Sequence, residues 1–289
     1  MTVSDLYQES RLRLLEKEEP QMASLLARNL LCFVTGKSQA QILSDRGMYV
    51  GDETCEKMQS FVSRVLTDEP LAYVLGEWDF YGMTLHVNNR VLIPRDDTCA
   101  VTELAIKQAV NLDSSPRILD LCTGSGCIGL AIASRVKDAK VTLADVSKDA
   151  LVVTKKNITA QKLTGRVVGI QVDALEEPPA FLGQFDMIVS NPPYITTQEM
   201  LELPDSVKEF EPHLALHGGD DGLVFYRSIA EKYKKVLKPG GFLCFEFGMG
   251  QGDDVCEILE KNGYTILERS RDYNDRERAV IARNDRKDD

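Results

Sequence analysis

The chain has 289 residues, of which 43% are hydrophobic and 27% charged, enough for one large domain plus a small one with an ample core. Its formal net charge of −11 weighs against a duplex nucleic-acid substrate, since phosphates are bound through Lys and Arg. No apolar run approaches the ~20 residues needed to span a bilayer, which argues against a membrane protein.

Seven cysteines, odd in number and scattered, point to a reducing compartment and so to the cytoplasm. The amino terminus, rich in Glu and Arg from Glu9 onward, has no apolar signal core. Cys122 and Cys127 are too isolated from other ligands to suggest a metal site, and His86, His213 and His217 have no evident nucleophile partner.

In chain order, residues 1–71 read as a helical domain. Leu6, Leu12 and Leu15 mark one helix, Pro20 opens a second carrying Leu25, Leu26, Leu30 and Leu31, and Asp52 begins a third with Met58, Phe61, Val62 and Val65. Such leucine spacing predicts core. Residues 72–87 alternate around Gly76 and Gly82 and predict a hairpin linker. From residue 88 to 289, strands alternate with helices, the pattern of a parallel α/β sheet covered on both faces.

Within that domain, Ile118–Leu121 predicts a strand and the glycines that follow predict a strand-to-helix turn. Gly124, Gly126 and Gly129 spell G-x-G-x-x-G, which lets a cofactor approach the backbone with helix-start N–H groups facing it. The next strand, Val141–Asp145, ends in an acid about 20 positions after Gly124, the spacing of a ribose-binding carboxylate. Ser147 is the better-placed helix cap, which leaves Asp145 free for a ligand. A third strand, Val167–Val172, ends in Asp173 and Ala174, from which adenine can be lined.

The fourth strand, Phe185–Ser190, ends in Asn191-Pro192-Pro193-Tyr194. The Asn191 side-chain oxygen and the Pro192 carbonyl can each take one N–H of a planar amide or amine, Pro193 stiffens the loop, and Tyr194 offers a flat face for stacking. With both hydrogens held, the lone pair leaves conjugation and meets an electrophile, so the clamp is worth more in the transition state than before it. That describes N-methylation of a poor nucleophile. A dinucleotide-binding oxidoreductase fits the glycines and Asp145 but leaves this tetrapeptide unexplained. Further on, a helix is expected from Leu223 to Leu237, a turn at Lys238–Gly241 and a strand at Phe242–Phe247, and the charged segment from Arg276 to Lys287 reads as a solvated tail.

Taken together, these residues resemble the class I S-adenosylmethionine-dependent methyltransferases with an (Asn/Asp)-Pro-Pro-Tyr motif. The likeness extends to the block Glu69–Gly76, to Phe80-Tyr81-Gly82, to Val91–Arg95, to Asn191–Ile195, to Glu211–Leu223, to Phe245–Gly248 and to Gln251-Gly252. In these blocks, in this order over nearly the whole chain, the sequence is similar to the HemK/PrmC-type N5-glutamine methyltransferases of peptide chain release factors.

The resemblance implies a Rossmann-like, mostly parallel seven-stranded sheet with the last strand antiparallel, and a small N-terminal helical bundle that recognises the protein substrate. It implies S-adenosylmethionine as cofactor, S-adenosylhomocysteine as product, and the Gly-Gly-Gln glutamine of class 1 release factors as acceptor, with no nucleic-acid substrate. The expected cofactor residues are Cys122, Thr123, Gly124, Ser125, Gly126, Asp145, Asp173, Ala174 and Asn191. Those expected to bind the acceptor are Asn191, Pro192, Pro193 and Tyr194, with Asn191, Pro192 and Tyr194 catalytic. A ribosomal-protein glutamine methyltransferase shares this chemistry, and a DNA or RNA N6-adenine methyltransferase shares the clamp. Cys122 stands where the family usually has glycine, Asp96-Asp97 where it has Pro-Glu, and Ala174 where a larger apolar side chain is common. These departures are expected to touch cofactor affinity, not reaction type.

Overall fold

The computed structural model describes residues 1–112 and 115–286 and divides the chain into two compact units, one of Met1–Glu77 with Asp205–Phe210, the other of Trp78–Pro204 with Glu211–Asp289. This differs from the contiguous division expected at residues 71 and 87.

The first unit holds helices α1 (Val3–Leu14), α2 (Pro20–Thr35), α3 (Gln39–Ser44), α4 (Asp52–Leu66) and α5 (Leu71–Leu75). Local chemistry sets their ends. Thr2 and Asp5 form a capping box at α1, Pro20 occupies the first turn of α2, and Gly36 ends α2 in the left-handed region at φ 66°. Leu6, Leu14, Leu30, Leu31, Met58 and Val62 fill the core. Two expected core leucines do not: Leu12 and Leu25 are 61% and 40% exposed. The buried stripe of α1 runs through Val3, Leu6, Ser10 and Leu14, and Leu12 lies off it.

The expected hairpin over residues 72–87 is corrected at its start. Leu71–Leu75 is helical, and only β1 (Glu77–Phe80) and β2 (Met83–His86) pair as strands. Ala72, Tyr73 and Val74 are buried consecutively, which a two-faced strand does not allow. The Arg64 guanidinium donates to the carbonyls of Tyr73 and Val74, at 3.0 and 3.1 Å, and so satisfies the end of a helix too short to close its own ladder.

The second unit is built on a seven-stranded sheet of β3 (Arg117–Leu121), β4 (Lys140–Asp145), β5 (Val167–Gln171), β6 (Phe185–Ser190), β7 (Leu237–Glu246), β8 (Tyr264–Arg271) and β9 (Glu277–Asn284). The order is β5-β4-β3-β6-β7-β9-β8, with β9 antiparallel to both of its neighbours. Helices α6 (Cys99–Ala109), α7 (Cys127–Arg135) and α8 (Lys148–Ala160) carry one apolar cluster, with Ile118, Val141 and Met187 of the sheet. The short helix α9 (Glu199–Glu202) follows β6 in sequence, and the next, α10 (Asp205–Lys208), belongs to the first unit. Helices α11 (Val224–Lys232) and α12 (Gly252–Lys261) carry the second cluster, with Leu119, Leu121, Ile188 and Phe245. Adjacent residues of β3 thus serve opposite faces, as the strand period requires.

Two expectations fail here. The charged segment from Arg276 is no solvated tail, because Ala279–Ala282 lie buried in β9 between β7 and β8; residue 287 lies outside the described residues. The helix expected to Leu237 stops at Lys232, a 3-10 turn spans Tyr233–Val236, and Lys238–Gly241 form an irregular stretch within β7 where the register jumps from Phe185↔Leu237 to Met187↔Phe242.

Candidate active site

β3 and β6 lie side by side in the sheet, β4 and β5 continue to one side and β7 to the other, so the crevice beyond their carboxyl ends is a topological switch point. Leu121 pairs with Ser190, and Ser190 Oγ donates to the Leu121 carbonyl at 2.6 Å. Cys122 and Asn191 therefore leave the sheet together.

The loop after β3 is wound around a buried carboxylate. Asp120 Oδ2 accepts from Thr123 Oγ1 at 2.7 Å and from Gly129 N at 2.9 Å, while burial pushes its carboxyl up to about 7. A Cβ on Gly129 would lie 2.2 Å from Leu143, so glycine is required for helix α7 to meet the sheet. Cys122, at φ 61°, holds a left-handed conformation that glycine adopts without cost.

Asp145 ends β4 in the same crevice. Its Oδ2 accepts from Gly124 N and its Oδ1 from Ser147 N, both at 2.9 Å, and burial raises its carboxyl. Ser147 does cap α8, accepting from Ala150 N at 3.1 Å. The acid is nonetheless not free, as the sequence had suggested: each oxygen holds a backbone amide and keeps one further lone pair for a ligand hydroxyl.

A cavity opens between these loops. Cys122, Gly124, Asp145, Asp173, Ala174, Asn191 and Pro193 line it, joined by Val146, Leu175 and Phe225, which make an apolar slot, and by Arg90–Leu92, Pro212, Leu214 and Ala215. Thr123, Ser125 and Gly126 turn into packing instead: Thr123 faces Asp120, Ser125 is 2% exposed, and a Cβ on Gly126 would meet Leu143, Leu130 and Thr154. Arg90, Val91, Leu92, Pro212, Leu214 and Ala215 were missed as lining residues, although they fall in or beside blocks shared with the family. Arg95 pairs with buried Glu211, which also accepts from Ile93 N at 3.2 Å, so these two distant segments reach the cavity tied to each other.

The loop after β6 is held by residues far away in sequence. Asn191 Nδ2 donates to Thr98 Oγ1 at 3.4 Å, and among the described residues none donates to the Pro192 carbonyl. A Cβ on Gly218 would lie 2.6 Å from the Pro193 carbonyl, one on Gly222 2.3 Å from the Tyr194 carbonyl, and one on Gly248 3.0 Å from the Tyr194 ring. Gln251 completes the cage, with Oε1 accepting from Gly248 N at 2.9 Å and Nε2 donating to Tyr194 O at 3.1 Å. Pro192 and Tyr194 do not line the cavity; Pro192 is buried and Tyr194 half-buried, its hydroxyl driven upward by burial and then by Glu246. Asp97, whose departure from the family pattern was expected to touch cofactor affinity, is ion-paired with Arg278 at 2.9 Å.

Comparison with known proteins settles the family. The PrmC N-terminal domain model matches residues 5–76, and the Methyltransferase small domain model matches residues 100–238. The release factor glutamine methyltransferase of Clostridium acetobutylicum is 38% identical over 253 residues, 88% of each chain. The chain belongs to the release factor glutamine methyltransferases. The relative from Chlorobaculum tepidum is 37% identical over 269 residues, covering 91% of this chain and 90% of that one. The hMettl16 catalytic domain, at 15% identity and a TM-score of 0.57 over 82% of this chain and 83% of that one, shares the fold alone.

This is therefore a methyltransferase whose cofactor is S-adenosylmethionine, and the cavity fits that molecule. Asp145 keeps acceptors for ribose hydroxyls, the Val146–Phe225 slot suits a flat base, and a Cβ on Gly124 would meet nothing within 4 Å among the described residues, which leaves the backbone there room for a ligand.

Proposed function

We propose that this chain methylates N5 of the glutamine in the Gly-Gly-Gln loop of class 1 release factors, in the cytoplasm. The observation that carries the reading is the pair of acceptors at the end of β6. Asn191 Oδ1 and the Pro192 carbonyl have no internal donor among the described residues, and they belong to a loop whose Asn191 and Pro193 line the cofactor cavity. Two acceptors on one loop match the two hydrogens of a carboxamide NH2.

In this reading Asp145 holds the ribose, Asp173 and Ala174 border the adenine, and the backbone at Cys122 and Gly124 borders the methionine portion. The bound cofactor supplies an electrophilic methyl on a positively charged sulfur. Asn191 and Pro192 orient the glutamine nitrogen and draw its lone pair out of amide conjugation, while Pro193 and the glycine cage fix the loop. Positioning supplies much of the acceleration. A glutamine side chain offers few atoms to grip, so recognition of a folded protein surface is assigned to the helical unit.

Incubation of the full chain with S-adenosylmethionine and an intact release factor, followed by peptide mass spectrometry, should show one added methyl on the Gly-Gly-Gln glutamine. Labelling of a ribosomal protein in place of the release factor, or of DNA or RNA, would overturn the assignment.

A further inference from the structure

Asn191 can serve the proposed clamp only with its oxygen facing the acceptor nitrogen. A carboxamide turned about its last bond presents NH2 at that point, a donor facing a donor. The inward-facing partners of Asn191 therefore choose between a working site and a blocked one.

Those partners are built into the fold. Ser190 pairs with Phe245 across β6 and β7, so Asn191 and Glu246 follow side by side at the strand ends. Thr98, at the start of α6, accepts from Asn191 Nδ2 at 3.4 Å. Glu246 is 1% exposed, the polar groups of Thr98 and Asn191 beside it favour its charged form, and its Oε2 has no partner among the described residues. A buried carboxylate is costly unless it is paired and hydrogen-bonded, so its neighbours decide whether it carries charge.

We propose that Glu246 and Thr98 are positioning residues which fix the end of the Asn191 carboxamide that faces the acceptor. Ionised Glu246 is acceptor-only, so Thr98 gives its hydroxyl proton to the carboxylate and keeps its oxygen for Asn191 Nδ2. The Asn191 NH2 is then held inside and its oxygen is turned outward. When Glu246 is protonated, the acid donates to the Thr98 oxygen, Thr98 donates onward, and the carboxamide turns its oxygen inward. The inference rests on the proposed clamp, and it adds a polarity to that clamp set by one proton.

Burial pushes Glu246 up to about 7, so the polarity reverses near neutral pH. The groups that face it are Arg278 on β9, Asp97 before α6, Cys99 on α6, Cys127 on α7, Tyr194 in the acceptor loop and Tyr226 on α11. Arg278 favours the charged carboxylate and Asp97 opposes it. The thiols and phenols are neutral around pH 7, because burial raises each of them.

The test uses the full chain, S-adenosylmethionine and an intact release factor. Glu246→Gln and Thr98→Val should each lower kcat by roughly 10- to 100-fold, the loss expected for a hydrogen bond involving a charged group, with KM for S-adenosylmethionine within about twofold. Thr98→Ser, which restores only the hydroxyl, should return kcat to within about threefold of the parent. The parent kcat should fall as pH drops through about 7, and Glu246→Gln should lose that limb. In the cofactor-free protein, the Asn191 side-chain amide resonances should titrate over the same range and stop doing so in Glu246→Gln. An Asn191 amide that ignores pH, or a Thr98→Val enzyme as fast as Thr98→Ser, would overturn the inference. A parent that labels no release factor defeats the substrate reading instead, and the Asn191 titration still decides the polarity.

Discussion

The loop after β3 and the loop after β6 border one cavity, and they are stabilised over different distances. In the first, Thr123 and Gly129 reach Asp120 within the same strand-turn-helix unit, Gly124 reaches Asp145 on the next strand, and Thr154 and Asn157 of the helix after that strand hold the Gly124 and Ser125 carbonyls. In the second, Asn191 leans on Thr98, Pro193 and Tyr194 are walled by Gly218, Gly222 and Gly248, and Gln251 holds the Tyr194 carbonyl. A cofactor loop of this kind can be formed by neighbouring residues, because a backbone cradle needs only turn geometry. An amide clamp must place two acceptors to a fraction of an ångström, and the whole second unit is recruited to do so.

The sharpest test of that contrast is Asn191→Ala, which removes one acceptor and nothing from the β3 loop. Turnover should fall by about 10²–10³-fold, by analogy with loss of one oxyanion-hole donor, while calorimetry finds cofactor affinity little changed. Near-normal turnover would defeat the clamp.

Gly222→Ala probes the same loop from a distance. Gly222 has φ 71° and no room for a Cβ against the Tyr194 carbonyl, so the loop must shift. Displacing a reacting group by about 1 Å costs up to ~100-fold, and a loss of roughly 10- to 100-fold in kcat is expected with cofactor binding retained. If kcat and cofactor affinity fall together, the two loops are not independent and the contrast fails.

On the other side, Asp145→Ala should weaken S-adenosylmethionine by roughly 1.5–3 kcal/mol. Because Asp145 also holds Gly124 N and Ser147 N, amide exchange at those two positions should speed up in the cofactor-free protein. Unchanged affinity would reduce Asp145 to a loop fastener.

The smallest effect concerns a feature that the two loops share, a buried carboxyl with one oxygen unpartnered among the described residues. Burial pushes both Asp120 and Glu246 up to about 7. A carboxyl raised on folding contributes stability that is present below its unfolded value and lost as pH rises through its folded one. Asp120→Asn removes that titration while keeping an acceptor for Thr123 and Gly129. Relative to the parent, it should therefore gain about 1–3 kcal/mol between pH 5 and pH 8 in denaturant titrations. A stability difference independent of pH would mean that Asp120 titrates at its ordinary value.

What the sequence made legible follows the same division by distance. The strand ends at Leu121, Asp145 and Ser190, the glycine turn and the Asn191–Tyr194 loop are local patterns, and each could be read because turn residues and strand period act over a few positions. Asp145 was over-read as free, since a backbone amide reaching it from Gly124 has no signature in the side chains. Leu12 and Leu25 were over-read as core because spacing alone does not say which stripe faces inward.

By itself the sequence determined the alternation of strands and helices, the chemistry of an amide-directed methyl transfer and, through blocks in a fixed order, the family. Only the tertiary structure inserted β9 between β7 and β8, turned Thr123 and Ser125 away from the cavity, and brought Thr98, Glu246, Gly222 and Gln251 against one loop. The reason is physical. Periodicity and turn chemistry are properties of neighbours, whereas burial of a stretch such as Arg278–Ala282, or the partner of a buried acid, depends on which distant strand lies alongside.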